Sequence, residues 1–353
     1  MGIQEILMSD NTIEVDSYKN IYANDKFEQK KKQKNNYKQP FSSLSLTFDN
    51  IPITFNNIFP PNILKYYTKG KIILIGTGHF LEQSKNDVRE VINSTIPDGI
   101  FVELCRSRIG ILNINEKIVF ENTLNPLELI YNSIKQEGLT RGLVSAILIS
   151  YSNELMKKSN CCPGGEFRIA FNESKKIKNS IFGFCDRNIE ITLNRLCTNL
   201  TFIEKLRLLK NYLLFNINND MEEKLFDNSS LYHNLSDFTS LLWKNFPTFK
   251  KIMVDERDQY MATILLQKYN EIFEEKAKIA LDKKKNMEVV KIVAVVGYGH
   301  IFGIKKYFGK EYDIDNLNSI YIKNNKTTKS LHIAILISII GGVILSGYYI
   351  LNK

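Results

Sequence analysis

Lys71-Ile72-Ile73-Leu74-Ile75-Gly76-Thr77-Gly78-His79 is the stretch on which the fold turns. A short run of branched apolar residues, too brief for a buried helix, reads as a buried strand. Glycines end the strand in a turn, and the turn delivers a histidine. The same frame returns much later: 292–296 is apolar, lysine again stands upstream, and Gly297-Tyr298-Gly299-His300 follows. A strand that ends this way aims its histidine off the carboxyl edge of a sheet, where open α/β folds place their ligands. The chain has only four histidines. His233 lies in a polar stretch and His332 opens the C-terminal apolar run, so the matched pair is the lead to chemistry.

Working outward, 83–93 carries helical apolar spacing, with Ser84 as its N-cap and Asp87 three residues on. Pro97-Asp98-Gly99 then turns the chain into a second strand over 100–104. A strand, a helix and a parallel strand in so little chain make one βαβ unit. The middle is mostly helical, over 127–136, 143–157, 166–175 and 201–215, interrupted by a short strand at 181–185. One long helix is expected over 249–276, and the last strand over 289–296. The fold class is therefore α/β: a mostly parallel sheet with flanking helices and a large helical insertion.

At 353 residues, 44% hydrophobic and 24% charged, the chain has room for an ample core. Residues 1–65 are polar and Lys/Asn-rich and are expected to be largely disordered, with extended pieces near 46–55. The net charge of +9 is spread along the chain without interleaved aromatics. It reads as solubility plus attraction to an anionic membrane surface, with no nucleic-acid partner expected. Five cysteines, an odd number without a C-x-x-C pair, fit reduced thiols in a cytosolic domain.

Residues 331–351, opening on Leu331 and closing on Leu351, contain no Asp, Glu, Lys or Arg. At about 1.5 Å per helical residue this run spans a bilayer core of roughly 30 Å. Lys323, Lys326 and Lys329 precede it, which keeps the N-terminal side cytosolic. The expectation is a transmembrane tail anchor joined through a polar tether at 308–330.

Four expected strands each end on a polar group: His79, Glu103 with Arg106 and Arg108 beyond it, Asp186-Arg187, and His300. If the strands run parallel, all four meet on one rim. Two histidines and a carboxylate suit a divalent ion such as Zn²⁺, Mn²⁺ or Co²⁺. Glu103 is then the third ligand or a general base. Arg108 or Arg187 offers a fork for a carboxylate or phosphate. Arg257 lies on an apolar stripe with Met253, Tyr260, Met261 and Ile264, so it needs a carboxylate, from Glu103, Asp186 or Glu256. The plain alternatives are a hydrogen-bonded histidine in each turn, Asp186-Arg187 as a helix cap, and Arg257 in a structural ion pair.

The ordered set is more specific than any one motif. Gly76-Thr77-Gly78-His79, Ser84, Val88, Pro97-Asp98 and Glu103-Leu104-Cys105-x-x-Arg108 come first. Pro163-Gly164-Gly165-Glu166-Phe167-Arg168, Asp186-Arg187, Ile191-Thr192-Leu193-x-Arg195, Glu256-Arg257-Asp258 and Val296-Gly297-Tyr298-Gly299-His300 follow. Over residues 66–307 this resembles the TraB domain of the TraB/PrgY family, of the eukaryotic membrane-anchored type. Bacterial members reduce the activity of secreted peptide pheromones. The related TIKI proteins are metal-dependent proteases with paired G-x-x-H motifs. The resemblance implies His79, Glu103 and His300 as metal ligands, and a setting at mitochondria or at their contacts with the endoplasmic reticulum. TIKI proteins act outside the cell, whereas no signal peptide is visible in this chain.

Three functional readings follow. The first is a tail-anchored, metal-dependent hydrolase acting on a peptide or a related ester or amide at a cytosolic membrane face. Glu103, Arg108, Asp186, Arg187 and Arg257 are its catalytic candidates, and the mitochondrial outer membrane stands ahead of the endoplasmic reticulum as its location. The second is a non-catalytic membrane adaptor that recruits a protein partner at an organelle surface. The third binds a phosphorylated ligand through Arg108, Arg187 and Arg257 without a metal.

Overall fold

The computed structural model describes residues 43–47, 70–116, 119, 126–215 and 245–320. The expected membrane helix at 331–351 lies outside the described residues, as does most of the N-terminal extension. Among the described residues no helix is long and apolar enough to cross a membrane. They form two compact units.

The first unit takes residues up to Ile114, with Cys161–Arg187 and Asp258–Tyr312. Its five strands are β1 (Ser43–Thr47), β2 (Lys71–Thr77), β3 (Gly99–Val102), β4 (Ile181–Phe184) and β5 (Lys291–Gly297). They lie in the order β1-β2-β5-β3-β4. β2, β5, β3 and β4 are mutually parallel, and β1 pairs antiparallel with β2. The architecture is thus α/β around a four-stranded parallel sheet. β5 slots between β2 and β3, with Gly76 opposite Val296 and Thr77 opposite Gly297, so the two glycine turns leave the sheet side by side.

Side chains alternate across a pleated strand, and a parallel sheet must be covered on both faces. Ile72, Leu74, Phe101, Ile292, Ala294 and Val296 supply one face. They pack on Met261, Leu265, Tyr269 and Phe273 of a long helix that begins at Glu256, and on Ile301 and Ile304. Ile73, Ile75, Ile100, Val102, Val293 and Val295 supply the other. Helix α1 (Glu82–Thr95) covers that face with Val88, Val91 and Ile92, and a later helix adds Phe167 and Ala170. Each such aliphatic side chain is worth about 1.5–3 kcal/mol when fully buried. A charge at Val295 or Ile75, both fully inaccessible, would break the sheet.

The second unit takes the described residues of Asn115–Asn160 and Asn188–Arg257 and those from Asp313 to Ile320. The expected helical insertion therefore comes in two pieces, because Cys161–Arg187 returns to the sheet between them. It holds α2 (Pro126–Glu137) and α3 (Leu139–Ser159). After α4 (Gly165–Ser174) of the first unit come α5 (Ile189–Asn199) and α6 (Phe202–Phe215). Val144, Leu196, Leu200 and Ile252 form its core. The long helix expected over 249–276 is interrupted. A turn at Pro247–Lys250 passes through a π-helical turn, Lys251–Asp255, into α7 (Glu256–Asp282). The last helices among the described residues are α8 (Ile301–Tyr307) in the first unit and α9 (Ile314–Asn318) in the second. α9 falls in the stretch expected to be a polar tether.

Candidate functional site

The parallel strands put the ends of β2, β3, β4 and β5 on one carboxyl edge, and with them His79, Glu103, Asp186 and His300. Local bonds fix the first turn. Gly78 N–H donates to Ser84 Oγ at 2.9 Å, and Thr77 Oγ1 donates to the Val296 carbonyl at 3.1 Å. Ser84 is therefore not the N-cap of α1; Leu81 holds that position, and the Ser84 hydroxyl steadies the histidine loop instead.

Each histidine is held from behind by a buried carboxylate. His79 Nδ1 lies 2.6 Å from Glu166 Oε1. Glu166 stands in the first turn of α4, where the helix dipole favours an anion. His300 Nδ1 lies 2.5 Å from Asp258 Oδ1 on α7. A carboxylate only accepts, so in both pairs Nδ1 donates. Burial alone would lower the His79 pKa, but the hydrogen bond and charge of Glu166, with Glu103 behind it, outweigh burial and raise it above the ordinary value of 6.5.

The remaining ring nitrogen of His300 meets Glu103, and that of His79 lies with Glu103 beside Gly297. His300 Nε2 is 3.2 Å from Glu103 Oε1. The other oxygen, Oε2, accepts from Gly297 N–H at 2.6 Å. A Cβ placed on Gly297 would meet His79 Nε2 at 3.1 Å and Glu103 Oε2 at 3.2 Å, so glycine is required here by close approach. His79, Glu103 and His300 thus converge. His300 has a carboxylate against each ring nitrogen, yet a neutral imidazole carries one N–H. Either a second proton or a cation must stand between Nε2 and Glu103. Two carboxylate-oriented imidazoles turned on a third carboxylate suit a divalent ion chemically, since such partners fix the tautomer and the ring direction. As it stands, no group of three or more His, Cys, Asp and Glu among the described residues has the geometry to hold a metal ion. The Glu103–His300 pair is closed at hydrogen-bond distance.

The other candidates divide. Arg108 Nη2 donates to Asp186 Oδ2 at 2.8 Å and to the Glu103 carbonyl at 3.2 Å, tying the ends of β3 and β4 together. Arg187 is wholly buried and its N–H donates to Asp186 Oδ1. Asp186-Arg187 does not cap α5; Asn188 does, accepting from Glu190 N–H. Arg257 belongs to the second unit, where its Nη1 donates to the Met253 carbonyl one turn back. The neighbouring Glu256 is engaged by Arg195, bidentate at 2.9 and 3.1 Å. Arg195 Nη1 also donates to the carbonyls of Asn316 and Ser319, which fastens α9. Sequence reasoning assigned no role to Glu166 and Asp258, the two carboxylates behind the histidines.

Residues 65–310 match the model of the TraB/PrgY/gumN family. The chain is 30% identical over 253 residues to a human TraB domain-containing protein, covering 71% of this chain and 66% of that protein. A mouse protein of the same name matches equally. An uncharacterised protein of Methanocaldococcus jannaschii is 31% identical over 290 residues, covering 80% of this chain and 66% of that protein. The match therefore spans just under two thirds of the length of these relatives. A family match over most of the chain, on the strands, turns and helices that build the rim, leads to one conclusion: the chain belongs to the TraB/PrgY/gumN family.

Proposed function

We propose that this protein is a metal-dependent hydrolase of the TraB family, cutting a peptide bond or a related amide or ester. The observation that carries the reading is His300, set between Asp258 and Glu103, with His79 Nε2 and Glu103 Oε2 both beside Gly297. His79 Nε2, Glu103 and His300 Nε2 would hold the ion, and a Mn²⁺, Co²⁺ or Zn²⁺ ion suits two imidazoles and a carboxylate. When bound, such an ion supplies Lewis acidity to a carbonyl and lowers the pKa of water. The protein's own groups do the rest. Glu166 and Asp258 keep each imidazole in the Nδ1–H tautomer and aim its lone pair inward. Gly297 N–H and the Glu103 carboxylate fix one another, and Glu103 would serve either as the third ligand or as the general base that takes a proton from water. Asp186 and Arg108 hold the ends of β3 and β4 in register. Residues 331–351 would anchor the domain on the cytosolic face of an organelle, the mitochondrial outer membrane before the endoplasmic reticulum.

The test is metal content beside activity. Full-length protein, purified gently in detergent, is expected to hold about one equivalent of divalent metal per chain, as for a three-ligand site. His79→Ala and His300→Ala should lose it, and Glu166→Gln should weaken it on the order of 10–100-fold, the usual effect of removing a carboxylate behind a ligand. The metal-loaded parent should cleave members of a peptide library that the Glu103→Gln variant leaves intact. Absence of metal from the parent, even after supply of Mn²⁺, Co²⁺ and Zn²⁺, would overturn the reading in favour of a membrane adaptor.

A further inference from the structure

The sheet's other edge has a different chemistry. Three connections lead into β3, β4 and β5 and so lie together at the amino edge of the parallel sheet: 93–98 with the end of α1, 175–180, and 278–290 with the last turn of α7. Large exposed hydrophobic side chains of the first unit gather there. Ile96 is 63% exposed, Ile181 36%, Ile279 44% and Leu281 42%, and the first unit has only one other, Phe302, among the described residues. The same connections expose Lys175, Lys176, Lys178, Lys278, Lys283, Lys284 and Lys285. Against these stand Asp282 and Glu288, exposed, and Asp98. Asp98 is taken by Lys276 Nζ at 2.7 Å and Lys291 N–H at 2.8 Å. Lys176 is paired with Glu173 and Lys175 sits over the Phe171 ring, which leaves five lysines projecting among four aliphatic side chains.

We infer that this amino edge docks on an anionic lipid surface, with Ile96, Ile279 and Leu281 entering the headgroup boundary and Lys178, Lys278, Lys283, Lys284 and Lys285 meeting the lipid charge. Membrane surfaces of this kind are held by the sum of two weak signals, apolar burial and juxtaposed basic residues. The composition selects lipid over nucleic acid. Single-stranded nucleic acid is held by aromatic stacking, and the exposed apolar residues here are Ile and Leu. Exposed aliphatic side chains ringed by lysine also make a poor solvated face, since monomers seldom gather their apolar exposure in one place. β2 and β5 are seven residues long, so docking would hold the histidine edge roughly 20 Å from the lipid, turned away from it. The inference is independent of the hydrolase reading.

A local probe separates this contact from any insertion of residues 331–351. Full-length Leu281→Cys protein carries an environment-sensitive dye at position 281. The native thiols compete little, because Cys105, Cys161, Cys162 and Cys185 are buried and burial pushes the Cys197 thiol up to about 11. Vesicles of phosphatidylcholine with 30% phosphatidylserine should shift the dye to the blue. Pure phosphatidylcholine should not, and 0.5 M salt should reverse the shift. Lys283→Glu/Lys284→Glu/Lys285→Glu should weaken the dye-reported affinity on the order of 100-fold, about fivefold for each lysine removed. Ile279→Ser/Ile96→Ser should weaken it while leaving its salt dependence in place. An unshifted dye on protein that pellets with the vesicles would overturn the inference and assign binding to residues 331–351. A shift of equal size on neutral vesicles would overturn it too, as would a response to RNA in place of lipid.

Discussion

His300 has more hydrogen-bond acceptors around it than protons, and the whole site follows from supplying what it lacks. Among the described residues His79 is held at one ring nitrogen only, by Glu166. Because the folded-state pKa of His79 is raised, its protonation favours the fold. That contribution is full below the unfolded value near 6.5 and is lost as pH rises through the folded value. Glu166→Gln should lower the His79 pKa, read from imidazole proton shifts against pH in chelator-treated protein. An unmoved titration would show that Glu166 is not the cause. The glycines of the second turn differ sharply. A methyl at Gly297 meets His79 and Glu103, whereas one at Gly299 meets nothing within 4 Å. Gly297→Ala should abolish metal uptake while the far-ultraviolet dichroism stays near that of the parent, and Gly299→Ala should leave both unchanged. His79, Glu103, His300, Asp186 and Arg108 were legible because each ends or follows a short apolar run. Glu166 and Asp258 were not. An acid in a helix's first turn has the same signature whether it serves the dipole or a distant histidine, and only the fold brings α4 and α7 to the rim.

Elements were legible where hydrophobic runs were dense. β2, β3, β4 and β5 are apolar along their centres, and the glycine turns after β2 and β5 and the Pro97-Asp98 turn before β3 punctuate them. β1 was harder, because its Ser-Leu-Ser-Leu-Thr alternation sits in a stretch dominated by Lys and Asn. α5 was foreseen only as the helix that Asp186-Arg187 would cap, without bounds of its own. Its inward face carries Thr192 and Arg195 beside Leu196, so its apolar stripe is interrupted by the clamp on Glu256. The break before α7 is invisible in the periodicity, since a π-helical turn adds a residue without changing composition. The start of α6 has a full capping box. Glu204 N–H donates to Thr201 Oγ1 at 3.2 Å, and Thr201 N–H and hydroxyl donate to Glu204 Oε2 at 2.9 Å. Thr201→Ala should cost about 1 kcal/mol in urea unfolding. Burial would raise the Glu204 pKa, but the Thr201 and Thr248 donors outweigh it and hold it below 4.5. Its contribution is therefore present above the unfolded value and fades as pH falls through the folded one. The Thr201→Ala penalty should shrink below pH 4.

At the scale of the whole molecule, the sheet joins strands that are far apart in sequence. The Thr77 hydroxyl reaches the Val296 carbonyl across 219 positions. Closing so long a loop before any native pairing rewards it makes folding slow. Stopped-flow refolding should show helical signal early and a later phase, on the order of milliseconds to seconds. Metal uptake should follow the later phase alone, and uptake within the dead time would contradict the order.

β5 sits between β2 and β3, and a ribosome makes it after both. Until residues 291–300 have been synthesised, the strands that bear His79 and Glu103 have no common neighbour, and the second histidine does not exist. From residue 103 to residue 291 the nascent chain therefore carries His79 and Glu103 without the strand that joins them. The rim would be assembled only when β5 has left the ribosome and slotted between its two neighbours.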